Sequence, residues 1–262
     1  MRTDAIDLEE SRLVKSGENT FPVLHERHRA FPAVFENRNH KRILDVASGV
    51  GYVAKRIRNN YSGEIFCNDI SPTALKALTN ANIPALSYTI DSEKPCFPFA
   101  EGTFDAVIAL ATIEHLIYID NFVTEINRIL KPDGCLYLSA PNYAGLIYLL
   151  NIILTGKTFH DPLTEDSRYE FYAHVRYFTY RTMAEYTNKF NFKLDTVYLP
   201  LPKESSHYLA MYKSSRGKAL AFKYLMYLSY KFSPRWASEP ILCLQKRSEP
   251  VNIRKVRKVI LD

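Results

Sequence analysis

The stretch of this chain best equipped for chemistry is Ile43 to Ala54, ILDVASGVGYVA, an apolar run that ends in an acid and opens into a glycine-rich turn. Gly49 and Gly51 permit positive φ and let a ligand approach the backbone where a Cβ would collide. A helix starting just beyond the turn offers its unpaired N–H groups to an anionic group. The spacing Gly49-x-Gly51-x-x-Ala54 also meets the weak dinucleotide fingerprint. Asp45 separates the two readings, because a carboxylate at the end of the strand repels a bound diphosphate and attracts an ammonium or sulfonium group. Asp69, at the end of the next apolar run, is placed to accept hydrogen bonds from both hydroxyls of a ribose. The ligand these residues describe is a nucleoside with a positively charged, amino-acid-like tail.

Candidates for proton transfer lie further along. Glu114 and His115 follow the fourth apolar run, and His115 is the first choice for a base or a substrate hydrogen-bonder, since imidazole titrates near neutral pH. His160, Asp161 and the cluster His174-Val175-Arg176-Tyr177-Phe178 belong to an insertion after the fifth run, where a lid over the acceptor is expected. His174 is the second choice. Both also have structural readings, His115 as an orienter of its loop and His174 as a satisfied lid histidine.

The elements that must position these groups follow from periodicity. Strands are predicted at Arg42–Val46, Glu64–Asn68, Ala85–Ile90, Phe104–Leu110 and Cys135–Ala140. Helices fall between them: Tyr52–Asn59, one opened by Ser71-Pro72, and the amphipathic Ile119–Leu130, which Lys131-Pro132-Asp133-Gly134 closes. A helix over Thr179–Lys189 and strands at Phe192–Leu199 and Pro240–Gln245 come later. Strict alternation implies an α/β fold, a doubly wound and mostly parallel seven-stranded sheet with helices on both faces. The expected organisation is one domain over 1–262, with an N-terminal helical cap (1–40), a core (41–140), insertions (141–178 and 203–237) and a basic tail (248–262).

Composition bounds the function. At 262 residues and 47% apolar the chain can build a substantial core, which excludes a disordered or low-complexity protein. MRTDAIDLEESRLVKSGENT is polar and mixed in charge, unlike a secretory leader. The run Tyr143–Thr155 is too short to span a bilayer and reads as a buried or interfacial helix. Cys67, Cys96, Cys135 and Cys243 show no ligand or redox spacing, so a reduced, cytoplasmic protein without a metal is expected. From Pro202 to Asp262 there are 13 Lys+Arg against 4 Asp+Glu, leaving 21 against 24 before it, so all the excess basicity is C-terminal.

With these residues in place, the chain resembles the class I S-adenosylmethionine-dependent methyltransferases, in the broad type-11 and type-23 domain group, over roughly residues 21–199. ILDVASGVGYVA is similar to the first motif, with Asp45, Ala47, Gly49 and Gly51 on its acid and glycine positions, and CNDISPTAL to the second, with Asp69 as ribose ligand and Ile70 beside the adenine. Asp91 in TIDSEKPCFPFAEGTFDAVIALATIEHL matches the acid that contacts the adenine amino group, and INRILKPDG and SAPN match the following helix, turn and fifth strand. His25 to Phe31 resembles the His/Arg-rich helix that covers the cofactor carboxylate, which Arg27 or Arg29 would pair with. Two departures are Ala47 for the usual first glycine, with Ser48 beside it, and Asp133 for a turn glycine.

The resemblance implies S-adenosylmethionine as cofactor, S-adenosylhomocysteine as product, and no metal. No Asn/Asp-Pro-Pro-Tyr/Phe follows the fourth strand and no cysteine stands by Pro141-Asn142, which disfavours methylation of DNA adenine, of glutamine or of a base carbon. A small acceptor is expected, a sugar, glycolipid or secondary metabolite methylated on oxygen, nitrogen or carbon. Two alternatives stay open: an RNA-directed methyltransferase holding phosphates with Arg254, Lys255, Arg257 and Lys258, though nucleic acid is disfavoured, and an NAD-dependent oxidoreductase. Peripheral membrane contact through the aromatic and lysine-rich Ala219–Phe232 also stays open.

Overall fold

A computed structural model of the chain describes residues 24–94, 97–158, 160–163, 170–250 and 256–262, together with Glu10 and Val14. Cys96, Arg254, Lys255 and most of the predicted N-terminal cap before Leu24 lie outside the described residues. The strands are β1 (Arg42–Val46), β2 (Glu64–Asn68), β3 (Ala85–Leu86), β4 (Phe104–Leu110), β5 (Leu130–Ser139), β6 (Phe192–Pro200), β7 (Ile241–Lys246) and β8 (Arg257–Leu261). They form one sheet in the order β3-β2-β1-β4-β5-β7-β6-β8, with β7 antiparallel to both its neighbours and the other pairs parallel.

The helices bounded within the described residues are α1 (Glu26–Arg29), α2 (Tyr52–Asn60), α3 (Pro72–Asn80), α4 (Ile119–Ile129), α5 (Leu146–Thr155), α6 (Tyr180–Asn188), α7 (Ser206–Ser214) and α8 (Arg216–Phe232). Ser71 caps α3 as its position suggests, accepting the Ala74 N–H at 3.1 Å, and Thr179 caps α6 in the same way.

Alternation along the strands divides the core between the faces of the sheet. Leu44, Val46, Val107, Ala109, Leu136 and Leu138 pack with α4, α6 and α8, while Ile43, Ile65, Ala106, Ile108 and Tyr137 pack with α2, α3 and residues 30–35. Cys67, Cys135 and Cys243 are free thiols buried on this second face, acting as small apolar groups. The described part of the N-terminal cap is fastened there by Phe31 and Phe35, whose rings meet Tyr137 edge-on, and by a 2.8 Å bond from His40 to the Tyr137 hydroxyl.

Three expectations need correction. Instead of running to Ile90, β3 ends at Leu86, because the Asn68 amide reaches past the end of β2 to the carbonyls of Leu86 and Tyr88 and takes over from the ladder. The sheet has eight strands rather than seven, since the end of the basic tail pairs with β6 over Thr196–Pro200 and half-buries Val259, Ile260 and Leu261. Arg257 is thereby spent on Glu36 and the Thr196 hydroxyl. Finally, only Tyr148 of α5 is buried, and Leu149, Leu150, Ile152, Ile153 and Leu154 are exposed, so the buried alternative for this helix falls. Among the described residues no helix is long and apolar enough to cross a membrane.

If β8 is an integral edge strand, ending the chain at Val256 removes three half-buried apolar side chains and lowers the free energy of unfolding by roughly 2–4 kcal/mol. Urea titration of the two forms checks this, and equal stability would show that the β8 pairing adds nothing to the fold.

Candidate active site

β1, β2 and β4 are adjacent and parallel, so their carboxyl ends open on one crevice. Two acids lie at its floor, Asp45 at 4% exposure and Asp69 at 5%. Asp69 accepts the Gly49 N–H at 2.7 Å and the Ser71 N–H at 2.9 Å, which ties the glycine turn to the end of β2. Glu10 adds a third acid nearby, bonded to the Ser71 hydroxyl at 2.5 Å.

The turn itself is conformationally demanding. Gly49 and Gly51 have φ of +55° and +74°, and Ala47, on the position of the usual first glycine, has +50°. An alanine there costs about 1 kcal/mol relative to right-handed backbone. Ala111, just after β4, carries the same +50°, so left-handed non-glycine residues flank the crevice on adjacent strands. At Gly51 the need is also one of space, because a Cβ would lie 2.4 Å from Leu78 Cδ2 of α3. The first and last glycine-type positions of the motif therefore serve backbone geometry and helix packing.

Asp45 is the electrostatic anomaly of the crevice. Burial, and then the charge of Asp69, pushes its carboxyl from 3.8 to about 8. Among the described residues no hydrogen-bond or ion-pair partner compensates it. Among the described residues no positive charge is supplied to offset it.

The other predicted cofactor residues are placed unequally. Ile70, half-buried, follows Asp69 at the rim. Asp91 accepts the amides of Ile117 (3.0 Å) and Tyr118 (2.7 Å), so it also fastens the loop after β4 at the start of α4. Arg29 is committed to Glu26 at 2.9 Å and to the Leu201 carbonyl at 2.9 Å. Arg27 is the one of the pair with unused capacity: it is buried, its Nη1 lies 2.5 Å from Glu239, and its Nε has no partner. Arg27 and His25 hold the Glu239 carboxyl well below the usual range despite its burial. Sequence reading missed Glu239; its signal is an acid just before a strand in an otherwise basic C-terminal region.

Where the sequence leads us to expect an acceptor, the fold joins residues far apart along the chain. Glu114 and His115 form a short 3-10 turn after β4, and the Glu114 carbonyl accepts the amides of Val175 (2.9 Å) and Arg176 (3.1 Å). His174 thus stacks edge-on against His115 at 4.7 Å and His160 at 4.9 Å. Its Nδ1 bonds the Tyr143 hydroxyl (3.2 Å), while His115 Nδ1 bonds the Ala173 carbonyl (3.1 Å). Burial, followed by the charges of His115, His160 and Arg27, pushes His174 down to about 3, so it is a neutral imidazole and a weak proton acceptor. Burial pushes Glu114 up to about 8 against the pull of its own amide and of Arg27.

Compared with known proteins, residues 44–138 match the family model described as a methyltransferase domain, a span that includes Asp45, both turn glycines, Asp69 and the Glu114–His115 turn. Residues 44–138, which build the crevice, are thus similar to a methyltransferase domain. Among curated relatives, human arginine-hydroxylase NDUFAF5, mitochondrial, is 35% identical over 97 residues, covering 37% of this chain and 28% of that protein. The ubiquinone/menaquinone biosynthesis C-methyltransferase UbiE of Bordetella avium is 31% identical over 118 residues, 42% of this chain and 45% of that one. The chain therefore spans less than half of either relative. In fold, an S-adenosylmethionine-dependent methyltransferase of Mesorhizobium loti superposes with a TM-score of 0.55 at 12% identity, covering 85% of this chain and 98% of that one.

The buried acid predicts a pH signature. Between about pH 4 and 8 the folded protein without ligand keeps a proton on Asp45 that the unfolded chain has lost, so stability falls as pH rises through this window. Asp45→Asn removes that contribution, flattening the dependence by about 1.4 kcal/mol per pH unit. Unfolding free energies across the window check it, and an unchanged slope in the variant would show that Asp45 is not buried as a proton-holding acid.

Proposed function

We propose that the protein transfers the methyl group of S-adenosylmethionine to a small-molecule acceptor bound between the Glu114–His115 turn and residues 160–178. The carrying observation is the buried Asp45 carboxyl, uncompensated and set beside Asp69, where a cationic ligand with a ribose fits and a diphosphate does not. In this reading residues 41–140 hold the cofactor, and 141–178 with 203–237 form the acceptor side.

When bound, S-adenosylmethionine supplies an electrophilic methyl carbon on a sulfonium that leaves as a neutral thioether. Asp45 attracts the positive tail, the turn at Ala47, Gly49 and Gly51 brings its backbone alongside, and Asp69, already oriented by two amides, accepts from the ribose hydroxyls. Ile70 covers the adenine and Asp91 accepts from its amino group, while Arg27, with its spare Nε, pairs with the carboxylate in preference to Arg29. His115 and His174 orient the acceptor, and of the two only His115 is assigned the part of a base, since His174 is held neutral. Positioning and exclusion of water supply most of the rate in a displacement of this kind.

The acceptor proposed is amphiphilic, a glycolipid or a ring compound with an apolar tail. The apolar face of α5 is exposed, and the same helix carries Tyr148, whose ring lies 6.2 Å from that of His160. A peripheral membrane contact through α5 and the exposed Leu220, Tyr224, Leu225 and Phe232 of α8 would present such an acceptor. The relative named for ubiquinone and menaquinone biosynthesis supports this class. The buried free thiols suit the reducing cytoplasm. The RNA-directed alternative is weakened because Arg257 is spent on Glu36.

Calorimetry tests the reading. S-adenosylmethionine and S-adenosylhomocysteine bind with dissociation constants on the order of micromolar, NAD does not bind, and Asp69→Ala weakens binding about tenfold or more. Methyl-labelled cofactor then delivers label to the organic phase of a lipid extract. A folded protein that ignores S-adenosylmethionine overturns the proposal.

A further inference from the structure

Glu114, His115 and His174 each offer a ligand atom, and these atoms all lie within 4.8 Å of one another. We propose that these three side chains hold a divalent first-row transition cation, of the zinc, iron or cobalt kind, with its open coordination positions toward the acceptor. Ligands about 2.1 Å from a shared tetrahedral ion stand roughly 3.4 Å apart, so a contraction of at most about 1.4 Å closes the set.

Glu114 supplies the independent argument. The residue is 1% exposed, and neither carboxylate oxygen reaches a hydrogen-bond partner on another residue. Proteins bury such a group when it is paired or when it coordinates a metal. Arg27, the cation whose charge reaches it, already lies 2.5 Å from Glu239.

The surroundings fit a coordinating role. In both rings Nδ1 is bonded to a second group, the Ala173 carbonyl for His115 and the Tyr143 hydroxyl for His174, the arrangement by which ligating imidazoles are oriented. The Glu114 carbonyl locks the two segments together through the Val175 and Arg176 amides, so the cluster is preformed. Two imidazoles and one carboxylate suit zinc, iron or cobalt better than magnesium or calcium, and three protein ligands leave room for an oxygen of the acceptor. Cysteine and histidine spacing did not reveal the cluster because its ligands come from segments on either side of β5. Binding of the cation stands apart from the methyl-transfer reading, whereas its service to the acceptor rests on that reading and replaces the part of base given to His115, whose remaining ring nitrogen the cation would occupy.

The test is titration of EDTA-treated full-length protein with Co²⁺, followed by visible d–d absorption. One equivalent is expected to bind, His174→Ala and Glu114→Gln to weaken binding by roughly 100-fold or more, and Tyr143→Phe by about tenfold. His207→Ala, at an exposed residue of α7, leaves it unchanged. Absence of the bands, or equal affinity in both ligand variants, overturns the site. Calorimetry with S-adenosylmethionine on the same samples reports separately on folding and on the methyl-transfer reading, so the two can fail independently.

Discussion

The structure around the crevice depends on one unfavourable burial, that of Asp45 beside Asp69. β1 is flanked on both sides by parallel strands and covered on both faces, so the last residues of β1 have no route to solvent except through the crevice. An acid there can be stabilised only by a group arriving from outside or by a proton. The N-terminus of α2 lies just across the turn and its dipole offers partial help. Asp69 is oriented by two amides and cannot turn away.

Around this acid pair the chain accepts further local cost. Ala47 and Ala111 hold left-handed backbone without being glycine, and Glu114 buries a second uncompensated carboxyl just after β4. These features cluster at the carboxyl ends of β1 and β4 and are absent from the opposite ends of those strands among the described residues. Such strain persists where the surrounding structure over-determines it, and it clusters at functional sites. The core on the two faces of the sheet, rich in fully buried aliphatic and aromatic side chains, supplies the surplus that makes this tolerable.

What could be read from sequence was what is encoded locally. β1, β2 and β4 begin and end where their apolar runs do, Ser71 caps α3, and Asp45, Gly49, Gly51 and Asp69 meet at one turn because a single strand–helix–strand unit, β1-α2-β2 with its strands parallel, brings them there. Features set by distant partners were not legible. β8 exists because β6 offers an unpaired edge, β3 stops because of the Asn68 amide, and α5 turns its apolar face outward although its composition suits a core. The cluster of Glu114, His115 and His174 needed the Glu114 carbonyl to capture Val175 and Arg176, and Arg27 and Arg29 are engaged by the distant Glu239 and Leu201.

In the function proposed above, Asp45 waits as a protonated acid and becomes charged when a cationic cofactor enters. Titrating the protein with S-adenosylmethionine at about pH 6.5 in buffers of contrasting ionisation enthalpy measures the protons exchanged on binding. Release of close to one proton per cofactor bound is the expected result. Tight binding with no proton released would contradict the account, because the acid at the floor of the crevice would then have been ionised before the ligand arrived.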